Sequence, residues 1–363
     1  MSRAVVAVAG NPNSGKTTLF NRLTGANAKV GNYAGVTVER REGLAHLPDG
    51  RQIVLLDIPG TYSLSARTAE EQIAITAIAG LNPHAEPDAV LLVVDSTQLA
   101  RNLYLVLQVL ELRLKAVVAL NMHDIVRKSG MRIDVAALER ALGVPVVPIS
   151  ATRGEGLEHL AAALAARLRE PALSGGPVVS LDGAALAADL DAVEPAIPPG
   201  WGRGDPSRRR ALAGWALLSI DAVDELWDVP DELRHSALAR QGLARDQGRD
   251  LDLALVAGRY RWIDERMPDF VTHVPTTLRR LTDAVDRVLI HPVFGFALFL
   301  LIMSLVFESL FTWSAPLIDG VNAAIAAVGA GLTAALPAGL PRDFLVDGVV
   351  AGVGAVGDRK SVV

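Results

Sequence analysis

The sequence predicts an α/β domain, a mostly parallel sheet with helices on both faces, followed by a small all-α domain and an apolar transmembrane helix. Three observations predict it. Short apolar runs alternate with helix-like segments through the first part of the chain. Further on that alternation gives way to amphipathic helical patterning alone. A 22-residue stretch, 292–313, then carries a single ionisable residue, Glu308.

The strand-like runs are 4–9, 53–56, 89–94, 116–120 and 144–149. Apolar throughout, they suit parallel strands buried on both faces. Helix-like segments at 18–23, 69–79, 99–112 and 135–142 lie between several of them, and this alternation defines the first domain, 1–172. In such sheets ligands bind beyond the carboxyl ends of the strands. Composition shifts at 171–177, a Pro/Gly-rich linker, and 178–275 reads as a small helical domain. Its helices are expected at 208–226, after a cap at Ser207, and at 231–245, after Asp228 and Pro230. Residues 276–290 read as a linker.

At about 1.5 Å per residue, 22 residues reach about 33 Å, enough for a hydrocarbon core of about 30 Å. Arg279, Arg280 and Arg287 precede the stretch and no Lys or Arg follows before Arg342, which puts its N-terminal side in the cytoplasm. Beyond it, 314–363 reads as a partial membrane or periplasmic region. There 321–336 is expected as an interfacial or loop helix, and the apolar run 345–356 is too short to span.

Bulk properties narrow the chemistry. The 363 residues are half hydrophobic and contain no cysteine, which excludes disulfides, thiolate zinc sites and iron–sulfur ligation within the chain. A net charge of −5 argues against a general affinity for nucleic acid. The apolar run 4–9 ends in Gly10-Asn11-Pro12 without a cleavage region, so it is not a signal peptide and the first domain is expected in the cytosol.

Gly10-Asn11-Pro12-Asn13-Ser14-Gly15-Lys16-Thr17 fits G-x-x-x-x-G-K-[ST] between an expected strand and an expected helix, the context a phosphate-binding loop requires. Its glycines let successive N–H groups face phosphates, and the helix presents its N-terminus to the same anion. Gly10, Asn11, Asn13, Ser14, Gly15, Lys16, Thr17 and Thr18 are the expected contacts, with Lys16 at the β- and γ-phosphates and the Thr17 hydroxyl on Mg²⁺. Asp57-Ile58-Pro59-Gly60 ends the second apolar run. There Asp57 is placed to hold Mg²⁺ through a water and the Gly60 N–H to sense a γ-phosphate. Asn121-Met122-His123-Asp124 ends another run. Asp124 can accept from guanine N1 and N2, which adenine does not offer, while Asn121 braces the loop. Ser150, Ala151 and Thr152 end the last run and are expected to present a backbone N–H to guanine O6. The phosphate-loop match is specific in this context, whereas D-x-P-G and N-x-x-D are each weak alone. Together, in this order and each at a strand end, they point to a P-loop GTPase domain that takes GTP or GDP. Between them Gly31-Asn32-Tyr33-Ala34-Gly35-Val36-Thr37-Val38-Glu39 offers Thr37 as a second Mg²⁺-ligating hydroxyl, with Gly35 and Val36 beside it, on a loop ordered by a γ-phosphate. The other reading of Thr37 is an edge-strand residue. Lys16, Thr37, Asn13 and Gly60 are the candidate catalytic residues.

Two departures bear on rate and affinity. Thr61 stands where a water-positioning Gln is usual, and Met122 and His123 replace the Lys of N-K-x-D. Slow turnover and weak nucleotide binding are expected.

These motifs resemble those of the ferrous iron transport protein B (FeoB) family. The resemblance rests on Gly10 to Thr18, Gly31 to Glu39, Asp57 to Leu64, and the Lys-free Asn121-Met122-x-Asp124. It continues through Ala257-Gly258-Arg259-Tyr260-Arg261-Trp262-Ile263 and Asp286-Arg287-Val288-Leu289-Ile290-His291-Pro292. The resemblance implies an Fe²⁺ uptake protein of the bacterial inner membrane, multi-pass in full-length form. Its cytosolic GTPase is followed by a helical domain acting as a guanine-nucleotide dissociation inhibitor, and its partners are lipid, further copies of itself and small accessory Feo proteins. It further implies K⁺ at Asn13, with switch-loop carbonyls around Gly31 and Tyr33 completing the site; the plainer reading of Asn13 is a loop brace. The family's permeation helices and their cysteine are absent, so a truncated chain is expected.

A second function weighed is a soluble K⁺-dependent GTPase of tRNA modification or ribosome assembly, against which the net charge and the 292–313 stretch both count. A third is a binding switch with negligible hydrolysis. Among secondary candidates, Glu308 is read as close to the outer interface or protonated, and His291 as a helix-start residue rather than an iron ligand. His46, His84 and His159 are read as surface residues, and Arg208-Arg209-Arg210 as a solvated helix start.

Overall fold

The computed structural model describes residues 3–26, 28–32, 39–66, 68–81, 85–170, 183–221, 226, 229–273, 289–309, 312, 314–350 and 352. They fall into two units, Met1–Pro275 and Thr276–Val363.

The first unit opens with β1 (Ala4–Gly10), α1 (Lys16–Thr24), β2 (Ala28–Asn32), β3 (Glu39–His46), β4 (Gln52–Asp57), α2 (Ala69–Ala79) and β5 (Ala89–Asp95). It continues through α3 (Leu99–Glu111), β6 (Ala116–Asn121), α4 (His123–Ser129), β7 (Met131–Ile133), α5 (Val135–Leu142), β8 (Val146–Pro148) and α6 (Leu157–Arg169). Among the described residues seven strands form one sheet in the order β2-β3-β4-β1-β5-β6-β8. β1 pairs in parallel with β4 and β5, and β5-β6-β8 continue in parallel, while β3 runs antiparallel to β2 and β4. The α/β reading therefore holds, with an antiparallel edge the apolar runs did not reveal. β2 is the edge strand, and β3, paired on both sides, ends in alternating buried and exposed residues, so it is not continuously apolar.

Strand alternation divides the core into two faces. Val6 and Val8 pack with Leu19 and Phe20 of α1 and Leu160 and Leu164 of α6. Ala7 and Ala9 face Ile75 and Ile78 of α2 and Leu103 and Leu107 of α3. The second face continues without a break into the helices that follow: α7 (Ala184–Val193), α8 (Pro199–Gly202), α9 (Pro206–Ser219), α10 (Asp231–Asp246) and α11 (Leu251–Phe270). Tyr104 of α3 and Tyr260 of α11 stack with ring centroids 5.1 Å apart, and Arg259 NH2 pairs with Glu111 at 2.7 Å.

Several expectations for the helical part are corrected. α9 is capped by Asp205, whose carboxylate accepts from the Ser207 and Arg208 N–H groups, and Pro206 rather than Ser207 opens it. Asp228 lies outside the described residues, and Pro230 takes the N-cap of α10. A strand, β9 (Val271–His273), follows α11 and pairs antiparallel with β7, returning the end of the helical part to the edge of the first. Arg208 is not solvated but 3 % exposed. It donates to Trp201 O at 2.7 Å, Leu112 O at 3.0 Å and Ala79 O at 2.6 Å, and pairs with Glu86 at 2.9 Å. Four acceptors in one pocket satisfy a charge that could not otherwise be buried.

In the second unit part of the expected 22-residue span, residues 310, 311 and 313, lies outside the described residues. The helix runs Pro292–Glu308, 17 residues or about 25 Å. Among the described residues no helix is long and apolar enough to cross a membrane. His291 is its N-cap, Nδ1 accepting from the Val293 and Phe294 N–H groups, in keeping with a helix-start role. Glu308 is its exposed last residue. The expected short helix at 321–336 is instead the 22-residue Ser314–Ala335, and the run from 345 lies partly in a π-helical turn, Phe344–Val350. His46 and His159 are exposed, as expected, and His84 lies outside the described residues.

Candidate nucleotide-binding site

Four of the expected motifs meet at one edge of the sheet because they follow the carboxyl ends of β1, β4, β6 and β8. Gly10 lies opposite Val93 of β5, Asp57 opposite Val8 of β1, and Asn121 opposite Asp95. Gly10 has no room for a side chain, since a Cβ there would collide with Val93 O. The loop turns on Asn13, at φ 65°, and Gly15, at φ 84°, both left-handed. Gly15 is also the N-cap of α1 and offers no side-chain oxygen, so the first-turn amides carry no side-chain cap. Uncapped amides at a helix N-terminus are an anion site.

Asn121 holds the loops together. Its Nδ2 donates to Ser14 O at 2.8 Å and its Oδ1 accepts from Ala151 N–H at 2.9 Å, clasping the first loop to the last. Ser96 Oγ donates to the Asn121 carbonyl from behind. Met122, at φ 60°, takes a left-handed conformation costly for a side chain of its size and turns the chain sharply into α4. Asp124 lies in the first turn of α4. The Ser150 hydroxyl, and then the Arg153 guanidinium, hold its carboxyl below the usual carboxylate range, so it is ionised at neutral pH. Burial, with Arg127 adding to it, pushes His123 down toward the neutral ring. In the last loop the Ser150 N–H goes to Glu155 O at 3.0 Å, and Arg22 of α1 holds Thr152 O at 2.7 Å.

At the other end of the site Lys16 Nζ and Asp57 form an ion pair across 41 residues of sequence. Gly60 packs on Pro12, a Cβ there coming 3.3 Å from Pro12 Cα. Thr61 is 3 % exposed, and its hydroxyl donates to Ser63 O at 2.5 Å, so it is spent within its own turn. The turn is tied outward: Leu64 N–H donates to Gln108 of α3 at 2.8 Å and Ala66 N–H to Ser219 of α9 at 3.1 Å.

The donors fit the expected groups. The exposed Thr17 hydroxyl and the Asp57 carboxylate are hard oxygen ligands of the kind Mg²⁺ takes, and one carboxylate suffices for an ion that keeps its waters. Among the described residues no cluster of three His, Asp or Glu gathers as an all-protein metal cage. Both amide atoms of Asn11 and the Ser14 hydroxyl are buried without a hydrogen-bond partner among the described residues, so the loop retains polar capacity. Thr18 is exposed beside Thr17. Gly35, Val36, Thr37 and Tyr33 lie outside the described residues. Arg22, Ser96 and Arg153 were not singled out by the sequence: no spacing marks a residue whose partner is far along the chain.

Fold and site define a P-loop nucleotide-binding protein of the GTPase type. A family model described as ferrous iron transport protein B matches residues 4–164. The chain is 35% identical over 368 residues to an Fe(2+) transport protein A/Fe(2+) transporter FeoB fusion protein of Porphyromonas gingivalis, covering 97% of this chain and 42% of that one. It is 38% identical over 314 residues to the Fe(2+) transporter FeoB of Escherichia coli K12, covering 85% and 38%. It thus spans about two fifths of the length of these curated relatives. Among solved structures, the cytosolic domain of L. pneumophila FeoB aligns with a TM-score of 0.61 at 33% identity, covering 74% of this chain and all of that one. The T. maritima cytosolic domain in its GMPPNP form aligns with a TM-score of 0.61 at 30% identity, covering 74% and 99%. The chain belongs to the ferrous iron transport protein B family.

Proposed function

We propose that this chain binds and slowly hydrolyses GTP as the cytosolic GTPase portion of a bacterial inner-membrane Fe²⁺ transporter. The observation that supports the proposal is the Asn121 clasp, which, three residues ahead of Asp124, joins the 10–17 loop to the 150–152 turn. Two relatives bearing the family name are described as GDP-bound or as a GMPPNP form, which supports a guanine nucleotide. Family membership and the net charge leave the soluble alternative without support.

In this mechanism Asp124 accepts from guanine N1–H and N2–H, and, with the Ser150 N–H on Glu155 O and the Ala151 N–H on Asn121, the 150–152 turn supplies the Thr152 N–H to O6. The loop amides and Lys16 hold the β- and γ-phosphates. Thr17, Asp57 and Thr37 would hold Mg²⁺, which neutralises charge between those phosphates when bound. Asn13, with carbonyls around Gly31 and Tyr33, would hold K⁺, which adds positive charge on the same side. The Gly60 N–H meets the γ-phosphate. With Thr61 turned into its own loop, no side chain at that position orients the attacking water, and turnover is slow.

The helical part, bonded to the segment after Gly60 through Ser219, acts as a dissociation inhibitor. The helix Pro292–Glu308, whose Phe294, Phe296, Phe299 and Leu301 are all exposed, meets lipid. Fe²⁺ is the cargo of the whole transporter, which assembles from several copies with small accessory Feo proteins. Asp124→Asn tests the base assignment: affinity should pass from GTP to xanthosine triphosphate, and unchanged GTP binding would refute it.

A further inference from the structure

The turn after β8 carries an arginine that the nucleotide motifs leave unexplained. Arg153 Nε stands 3.3 Å from Asp124 Oδ2, and its NH1 lies 3.6 Å from Glu155 Oε1. Glu155 is in turn paired with Arg127 at 2.7 Å. The turn itself is fixed by Arg22 on Thr152 O, by the Asn121 bond to Ala151, and by left-handed Gly154 and Gly156. Arg153 is half exposed, whereas the Asp124 side chain is 12% exposed. The guanidinium therefore reaches a sheltered carboxylate from a rigid turn.

A carboxylate reads guanine only when both oxygens lie in the plane of N1–H and N2–H. Its terminal torsion is broad, so something must hold that plane. Each carboxylate oxygen has two lone-pair directions, so a guanidinium on one side of Oδ2 leaves the other side for the base. The usual lysine is missing from the 121–124 motif, and this cation arrives from the neighbouring turn instead. We propose that Arg153, through its contact with Asp124 Oδ2, is a positioning residue that helps to fix the plane of the Asp124 carboxylate and thereby sharpens selection of guanine. The proposal rests on the guanine reading above.

The test measures GDP and ADP dissociation constants with Mg²⁺ by calorimetry on the full chain and its variants. Arg153→Ala should weaken GDP about three- to fivefold, the scale of one partly exposed ion pair, and Arg153→Lys should recover part of the loss. In an Asp124→Ala background the same Arg153→Ala change should cost nothing further, because its effect passes through that carboxylate. Unchanged or tighter GDP binding by Arg153→Ala, or an equal loss in the Asp124→Ala background, would overturn the proposal. A wild-type chain with no preference for GDP over ADP would instead sink the guanine reading itself.

Discussion

Asn121 closes against Gly15: its Nδ2 donates to the carbonyl of the preceding Ser14 at 2.8 Å, and a Cβ on Gly15 would collide with that same nitrogen. The phosphate loop and the base-reading loop are thus built against each other and cannot be altered separately. Gly15→Ala meets both that collision and a φ of 84°. It should abolish GDP binding in calorimetry while circular dichroism stays native.

Asn121→Ala removes the clasp and leaves the Ser14 carbonyl and the Ala151 N–H without their partner. Each unpaired buried group costs about 1–3 kcal/mol. Urea denaturation should register that loss, and the GDP dissociation constant should rise by about tenfold or more. A variant with wild-type stability and affinity would show that the two loops hold themselves in place.

Thr61→Gln introduces the residue usual for water positioning, yet Thr61 points into a buried turn. The larger side chain should cost about 1–3 kcal/mol of overpacking without raising the single-turnover rate of GTP hydrolysis. A rate gain of tenfold would mean that the turn opens around the nucleotide.

Asn13→Ala should remove any difference between K⁺ and Na⁺ in the rate of GTP hydrolysis while leaving GDP affinity near wild type. Retained K⁺ stimulation would return Asn13 to the role of loop brace.

Arg208→Met leaves Glu86 with Arg203 as its remaining ion-pair partner and strips the carbonyls of Ala79, Leu112 and Trp201 of their guanidinium donor. Losing one partner of a buried pair costs about 3–5 kcal/mol. Burial already pushes Glu86 above its usual range, with Arg208 pulling it back. A carboxyl raised in the folded state binds its proton more readily folded than unfolded. Its contribution to stability is therefore full below the unfolded value and lost as pH rises through the folded one. Without Arg208 the folded value climbs further, so the deficit measured by denaturant should be larger at about pH 8 than at about pH 5. Arg208→Met with Glu86→Leu should recover part of it.

The strands and the nucleotide motifs were legible in the sequence because their signals are local. A buried parallel strand is a run of apolar residues, and a phosphate loop is eight consecutive positions with glycines where the chain must curl. β2, β3 and β9 carried no such signal: the edge strand β2 need not be apolar, β3 is partly exposed along its length, and β9 exists only because β7 offers it a partner. The cap of α9 was misplaced by two residues, since Asp205 and Ser207 are both good caps and only the path of the chain selects between them.

By itself the sequence determined which loops end which strands, and so that four chemically apt motifs share one edge of a sheet. The tertiary structure alone decided how those loops are fastened and which charges are buried. Arg208 reads as a surface residue beside Arg209 and Arg210, but it meets the carbonyls at the ends of α2 and α3 only once the helical part has docked. Arg153 likewise finds Asp124 only when β6 and β8 lie side by side. Periodicity fixes a residue's face within its own element, whereas desolvation and ion pairing depend on groups that are far away in sequence until the chain folds.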